Sequence, residues 1–368
     1  MQKAYSLQKK LIVVALATAA FSTSALADTG NVSIYGKADL SFDVISTGSS
    51  AAGVAGASKN NVSSNVSKLG FKGSEGLGEG LTAVWQIEQQ INMDDTGGNF
   101  GTRNTFLGLK SDGMGTVLMG RHDTPYKLAT RSLDIFGDSI ADNRALLGGV
   151  TSPTTVDSAF AAFDGRQPNV LAYITPNMGD FTGAIAYVNL AEANTTSAQA
   201  KSNALSLMGS YKANGLYASL GYEEHKLSSI LGTKESAWKL GVGYDIDALG
   251  LGFVYEKTDD NAGALGANAR GHNAWYLSAK YKMDKDAIKF AYGKAGQLGA
   301  TANTDANQFS LGYDHGLSKR TKLYAIYSRI NNGTASNYGF SQSTASAGTV
   351  NGVGASPSVF SFGMQHNF

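Results

Sequence analysis

Apolar and polar residues alternate with a period of two through most of the chain after residue 31, and this alternation constrains the fold more than any other feature. Val32, Ile34, Ala38, Leu40 and Phe42 share one parity, while Ser33, Lys37, Asp39 and Ser41 share the other. Trp238, Leu240, Val242 and Tyr244 alternate with Lys239, Gly241 and Gly243. The same holds for Ile288, Phe290 and Tyr292, and again for Phe309, Leu311 and Tyr313. Successive side chains of a strand point to opposite faces, so each segment has one oily face and one face of polar residues or glycine.

Punctuation between these segments comes in two lengths. Short turn signals fall at 73–80, 111–115, 176–180, 212–215, 245–250, 283–286 and 316–320. Longer polar stretches fall at 46–61, 92–101, 123–164, 190–202, 227–233, 259–269, 295–304 and 331–356. Seven turns and eight loops make fifteen connections, hence sixteen strands of about ten residues, the length a tilted strand needs to cross a bilayer. The fold class predicted is all-β: a 16-stranded antiparallel transmembrane β-barrel with short periplasmic turns and long extracellular loops. A lipid-embedded sheet must close on itself, because each unpaired backbone amide costs several kcal/mol there. Sixteen strands imply a diameter of about 30 Å, too wide for side chains to fill, so the interior holds water. A soluble sandwich would also bury an apolar face, but it accounts for neither the strand lengths nor the two-sided loop asymmetry. Tyr211, Tyr244, Tyr281 and Tyr313 each precede a tight turn, as expected of an interfacial aromatic girdle.

Composition agrees. Only 16 % of residues are charged and 45 are glycine, and Lys plus Arg (30) nearly balances Asp plus Glu (29). That balance leaves no surplus for nucleic-acid binding. The absence of cysteine removes disulfides, thiolate metal sites and cysteine nucleophiles. Lys3, Lys9 and Lys10 precede the apolar run Leu11–Phe21 and the small-x-small site Ala25-Leu26-Ala27. This pattern predicts a signal peptide over 1–27, Sec-type export and a barrel over 28–368. The chain ends in an alternating segment, Phe360, Phe362, Met364, His366 and Phe368 sharing one parity.

Asn31–Asp39 (NVSIYGKAD), Lys68–Gly80 (KLGFKGSEGLGEG), Gly115–Tyr126 (GTVLMGRHDTPY), Gly312–Tyr327 (GYDHGLSKRTKLYAIY) and terminal Phe368 together resemble the trimeric general porins of Gram-negative outer membranes, β-proteobacterial type. The likeness runs over nearly all of 28–368; the segment Thr175–Asp180 departs from it, lacking the aromatic residues common there. It implies a homotrimer in outer-membrane lipid and lipopolysaccharide, and passive diffusion of small hydrophilic solutes and ions. It implies that Phe368 is an assembly signal read by the barrel-assembly machinery. It also implies that the third loop, 123–164, folds into the lumen as the constriction. That loop carries Asp134, Asp138, Asp142 and Asp157, with Arg131 and Arg144. Opposite it, the resemblance places a basic wall of Lys68, Arg103 and Arg166, with Lys37 and Arg121. Loop carboxylates facing wall cations would set a field across the pore, with a modest anion preference weakened by Asp39 and Glu88. Parity turns Lys37 and Lys68 inward. Arg103 and Arg121 share parity with lipid-facing neighbours and turn inward only past a bulge; the register of Arg166 is open.

Other features carry less. The five histidines (122, 225, 272, 315, 366) have no metal-site spacing, and no cofactor is expected. Asp94-Asp95 and Asp259-Asp260 read as solvated loop charge, and Gly76–Gly80 opens no helix that could cradle phosphate. A barrel hydrolase would need a nucleophile and base held together, and none can be assigned around His366. An adhesin built on the outer loops is the other competing reading.

Overall fold

A computed structural model describes residues 31–94, 100–148, 163–190, 202–226, 234–259, 271–341 and 350–368. The signal peptide expected over 1–27 and Asp157 lie outside the described residues. The strands are β1 (Asn31–Ser46), β2 in two pieces (Ser58–Ser64 and Lys68–Gly78), β3 (Leu81–Gln90), β4 (Thr105–Ser111), β5 (Gly115–Asp123), β6 (Arg166–Ile174), β7 (Phe181–Asn189) and β8 (Asn203–Ala213). They continue as β9 (Leu216–Lys226), β10 (Lys234–Ile246), β11 (Leu249–Asp259), β12 (Asn273–Met283), β13 (Asp286–Ala295), β14 (Ala306–Gly316), β15 (Thr321–Asn332) and β16 (Ser358–Asn367). Each pairs antiparallel with its neighbours in sequence. The ring closes where Lys37–Ser46 of β1 pairs with Asn367–Ser358 of β16. Phe368 extends the closure: its amide donates to the Gly36 carbonyl (3.1 Å) and its own carbonyl accepts from the Gly36 amide (2.9 Å).

The two pieces of β2 are one strand with a break. The first pairs with the upper half of β1 and the second with the lower half. Between them Val66 takes a left-handed conformation (φ 52°), unusual for a β-branched residue. The break lets side chains replace ladder bonds. Ser67 Oγ accepts from the Asp39 amide and donates to its carbonyl (3.0 and 3.1 Å). Asn65 donates to Ser41 and Tyr324, and Tyr324 donates to Asp39 (2.7 Å).

Along the strands the two faces separate as the alternation requires. Trp238, Leu240, Val242 and Tyr244 are exposed on the outer surface, where lipid lies, while Lys239 between them is buried inside. Phe42, Leu311, Phe360 and Phe362 are outward; Asp39, Ser41, Ser310 and Ser361 are inward and buried. Tyr244, Tyr281 and Tyr313 lie at one height beside the short turns, in register with Leu216, Leu249 and Ile288 of adjoining strands. One turn differs from expectation. Instead of turning from residue 73, β2 runs on to Gly78 with a register shift after Gly76, and Glu79-Gly80 makes the turn. Gly73 is paired on both sides, with Val32 and Trp85, whereas Gly76 pairs with Thr82 alone, beyond the end of the β1 ladder.

The third loop enters the barrel as helix α1 (Pro125–Arg131), capped by Thr124, and continues through a 3-10 turn at Asn143–Ala145. Its path is set by absent side chains on the inner wall. A Cβ on Gly241 would sit 2.8 Å from Leu133 Cδ1, one on Gly312 2.7 Å from Phe136 Cε1, and one on Gly221 3.1 Å from Ala129 Cβ. The loop's Leu133, Phe136, Ile140, Leu146 and Leu147 then bury against Tyr276, Ala291 and Ile326 of the wall. Gly312→Val should therefore expel Phe136 and undock the loop while leaving the strands paired. The expected result is an unchanged β-sheet circular-dichroism spectrum with noisier, larger single-channel currents. Wild-type currents in a folded Gly312→Val protein would contradict this account of docking.

Candidate pore constriction

Where the alternation ends, the inner wall of β1 to β6 gathers its charge. Lys37 contacts Asp39 (3.3 Å) and donates to the Asn65 carbonyl (3.0 Å), so the break in β2 holds it. Lys68 and Arg103 both bind Glu88, at 3.2 and 2.5 Å, and the Tyr35 hydroxyl donates to the same carboxylate. Arg166 donates to Asp123 (3.0 Å) and Asn104 (2.7 Å); Lys127 of α1 also binds Asp123 (2.7 Å). Arg121 donates to the Thr102 carbonyl (3.0 Å).

The structure thus brings Lys37, Lys68, Arg103 and Arg166 onto carboxylates of one wall. Each of the two ambiguous arginines lies beyond the point where parity holds. Met119 faces lipid and Asp123 faces inward although both are odd-numbered, because the β5–β6 register shifts between Gly120 and His122. Gly120 has φ 140° and its absent Cβ would lie 2.4 Å from the Thr105 carbonyl, so glycine makes the bulge possible. Arg103 precedes β4, and its backbone amide reaches the Glu88 carbonyl (3.0 Å) from an irregular segment.

The loop carboxylates differ from expectation. Arg131 donates to Asp134 (3.2 Å), Asp138 (2.8 Å) and Asp142 (2.8 Å), and Arg144 adds contacts to Asp142 (3.0 Å) and Asp138 (3.5 Å). The side chains of Asp134 and Asp142 are 0 % exposed, whereas Asp138 retains 29 %. Asp134 and Asp142 therefore do not face the wall as free charges. They are matched inside the loop, and Asp138 alone of the three carries charge to the water. The reason is local: Arg131 and Asp134 stand three residues apart at the helix end, with Asp138 and Asp142 following at steps of four, so the chain folds around one guanidinium. Burial pushes the Asp134 carboxyl up to about 7, with Asp142 adding to the rise. Burial also works to raise Asp142, but Arg144 and Arg131 outweigh it and hold that group well below the usual range. For Asp138 burial is likewise outweighed, by Arg131 and then by Lys37 of the opposite wall. Burial pulls Lys127 down to about 8 against the attraction of Asp123.

Both limbs of the loop are fastened to β9–β11 by residues that sequence reasoning did not single out. Tyr126 Oη donates to Glu256 (2.7 Å), whose other oxygen accepts from the Gly148 amide (2.7 Å). Lys239 lies over the Tyr126 ring at 4.1 Å and pairs with Asp164. His225, between Glu223 (2.9 Å) and Glu235 (2.6 Å), stacks on Phe163 (4.6 Å). The inward parity of Glu223, His225, Glu235 and Lys239 was a signal available in the sequence.

Arg131→Ala would leave buried Asp134 without its cation and Asp142 with Arg144 alone, a loss of about 3 kcal/mol. The expected outcome is rapid amide exchange and proteolysis across 131–146 with the barrel intact. A folded loop binds a proton at Asp134 that the unfolded chain has released, so between about pH 4 and pH 7 docking weakens as pH rises. Exchange protection over this segment should fall across that window and become flat in Asp134→Asn.

The comparisons place this geometry among known proteins. "Outer membrane porin protein 32" of Delftia acidovorans is 28 % identical over 375 residues, covering 98 % of this chain and all of that protein. "Major outer membrane protein P.IB" of Neisseria meningitidis serogroup B is 28 % identical over 326 residues, covering 85 % of this chain and 90 % of its own length. Among solved structures, the anion-selective porin from Comamonas acidovorans superimposes with a TM-score of 0.77 at 25 % identity, over 92 % of this chain and all of the other. The family pattern described as Gram-negative porin matches residues 13–335, and the chain belongs to that family, forming an outer-membrane diffusion channel for small hydrophilic solutes.

Proposed function

We propose that this channel passes anions more readily than cations, and that Lys37, Lys68, Arg103, Arg121 and Arg166 with loop residue Asp138 line its narrowest section. The observation that carries the reading is the charge count on the wall. Among the described residues of β1 to β6 and the segments between them, Lys37, Lys68, Arg103, Arg121 and Arg166, joined by Lys127 of α1, stand against Asp39, Asp43, Glu88 and Asp123 on the inner face. Asp134 and Asp142 add nothing to the opposite side because the loop arginines match them. A net positive lining in a narrow aqueous gap lowers the energy of a passing anion and raises that of a cation. The likeness to a porin described as anion-selective supports the same sign.

Further parts of the reading follow family membership. Three copies associate side by side in a membrane of lipid and lipopolysaccharide. Residues 1–27 direct export and are removed. Phe368 is recognised by the barrel-assembly machinery; its ring covers Gly36, so the residue that would be recognised also seals the last strand to the first.

Reversal-potential measurement across a salt gradient in planar bilayers tests the selectivity. Lys68→Glu changes the lining by two charges. At about 8 Å in water, screened over a similar length, that is worth about 0.4 kcal/mol for each ion with opposite sign, a roughly fourfold fall in the anion-to-cation permeability ratio. A wild-type potential of the cation-selective sign would refute the reading, and an unchanged potential in Lys68→Glu would remove Lys68 from the lining.

A further inference from the structure

A cavity of about 850 Å³ lies beneath the constriction loop at the short-turn end of the barrel, roofed by Ser132–Ile135 and walled by β8 to β12. Its lining includes Lys212, Lys280 and Lys282, with Leu133, Leu216 and Leu251 supplying apolar wall and Asp245 the one wall carboxylate. None of the three lysines makes an ion pair among the described residues. Behind them the imbalance deepens. Lys280 stands directly across the ladder from Lys289. Lys289 and Lys322 share a single acid, Asp314, at 2.8 and 3.2 Å. Among the described residues, Asp314 is thus the one carboxylate that any of the four lysines of β12, β13 and β15 pairs with. Like charges set opposite each other on a sheet repel, and the low-dielectric wall strengthens that repulsion. The cluster also reaches the constriction: the Lys289 ammonium sits 4.9 Å from the centroid of the Phe136 ring, at the middle of the loop.

We propose that this vestibule is a binding site for small multivalent oxyanions, molecules bearing two or more carboxylate or phosphate groups, held by Lys280 and Lys282 with Lys212 on the facing wall. This deepens the anion-preference reading and rests on it. An anion of this kind supplies the negative charge the cluster lacks. Lysine ammoniums are mobile point charges without a fixed fork, so they accept carboxylate and phosphate alike and select by charge rather than by shape. Because the site lies on one side of the loop only, the channel acquires a direction: a multivalent anion meets it before the constriction from the turn side and after the constriction from the loop side.

The test is sided block of the chloride current through the purified channel in planar bilayers. Citrate is added to one compartment, washed out, then added to the other, and pyrophosphate is tested in the same way. Half-block should need several-fold less citrate from one side than from the other. The double variant Lys280→Gln/Lys282→Gln should abolish that difference, and Lys280→Arg/Lys282→Arg should keep it. Block by citrate and pyrophosphate together assigns the site to oxyanion charge in general; block by citrate alone restricts it to carboxylates. Equal block from both sides, or sided block that survives the glutamine variant, would overturn the proposal. Reversal potential in chloride, measured on the same membranes, reports the anion preference separately, so loss of that reading and loss of the vestibule site are distinguishable.

Discussion

A backbone amide in hydrocarbon has no water to turn to, and this one constraint organises the molecule. It forces the sheet to close, and closure forces β16 onto β1, with Gly36 and Phe368 exchanging the final pair of bonds. It leaves irregular backbone only where protein or water can satisfy it. The break at Asn65–Ser67 obeys that rule, since side chains of Ser67, Asn65 and Tyr324 stand in for the interrupted ladder. The same break is what positions Lys37, because its ammonium binds the freed Asn65 carbonyl. A device that repairs the backbone therefore also places a charge in the pore.

Closure at sixteen strands creates a lumen that side chains cannot fill, and the third loop occupies part of it. The loop docks because the wall is bare where it lies. Gly241 and Gly312 admit Leu133 and Phe136 at distances no Cβ would allow, and Gly221 gives Ala129 room that a Cβ would crowd. Part of the glycine content is thus explained by close approach to the loop. Apolar contact alone would let the loop slide, and polar bonds fix its position: Tyr217 to the Ala129 carbonyl (2.7 Å), Ser278 to the Leu133 carbonyl (3.1 Å) and Gln308 to the Ala141 carbonyl (3.3 Å). Strands β9, β12 and β14 thus each hold a different point of the loop.

Period-two alternation made the fold legible, because it reports which face meets lipid at every position where pairing is regular. Lys37 and Lys68 could be placed on the inner wall for that reason. The same logic ran out at Arg103, which lies in an irregular segment before β4, and at Arg121, since one extra residue at Gly120 reverses every side chain beyond it and only a glycine marks the bulge. The break in β2 was hidden for a related reason: Ser63-Ser64-Asn65-Val66-Ser67 contains neither glycine nor proline. The fate of Asp134 and Asp142 was present in the sequence as a step of three residues from Arg131 to Asp134 followed by steps of four to Asp138 and Asp142, but the expectation of a charged loop facing a charged wall treated acids as free. Glu256, which gathers both limbs of the loop, could not be found from the sequence alone, because its partners Tyr126 and Gly148 lie more than a hundred residues away.

Charge in this pore divides into two kinds with different consequences. A buried carboxylate bonded to arginine, such as Asp142, forms a dipole whose field fades within a few ångströms of the pair; it fixes geometry and contributes little to an ion passing in water. An unmatched charge acts over the full screening length of about 8 Å. Selectivity therefore depends on the remainder after pairing, not on the total number of ionisable residues. In this chain that remainder is positive on the wall between Lys37 and Arg166 and again around Lys280, whereas Glu223, Glu235, Glu256 and Asp164 outnumber Lys239 and His225 where β9–β11 hold the loop. The near-zero net charge of the whole sequence conceals it, because most of the acids are matched to a partner or stand on the outer loops and turns. Two porins of equal composition can for this reason differ in sign of selectivity, if one pairs its loop acids internally and the other turns them to the water.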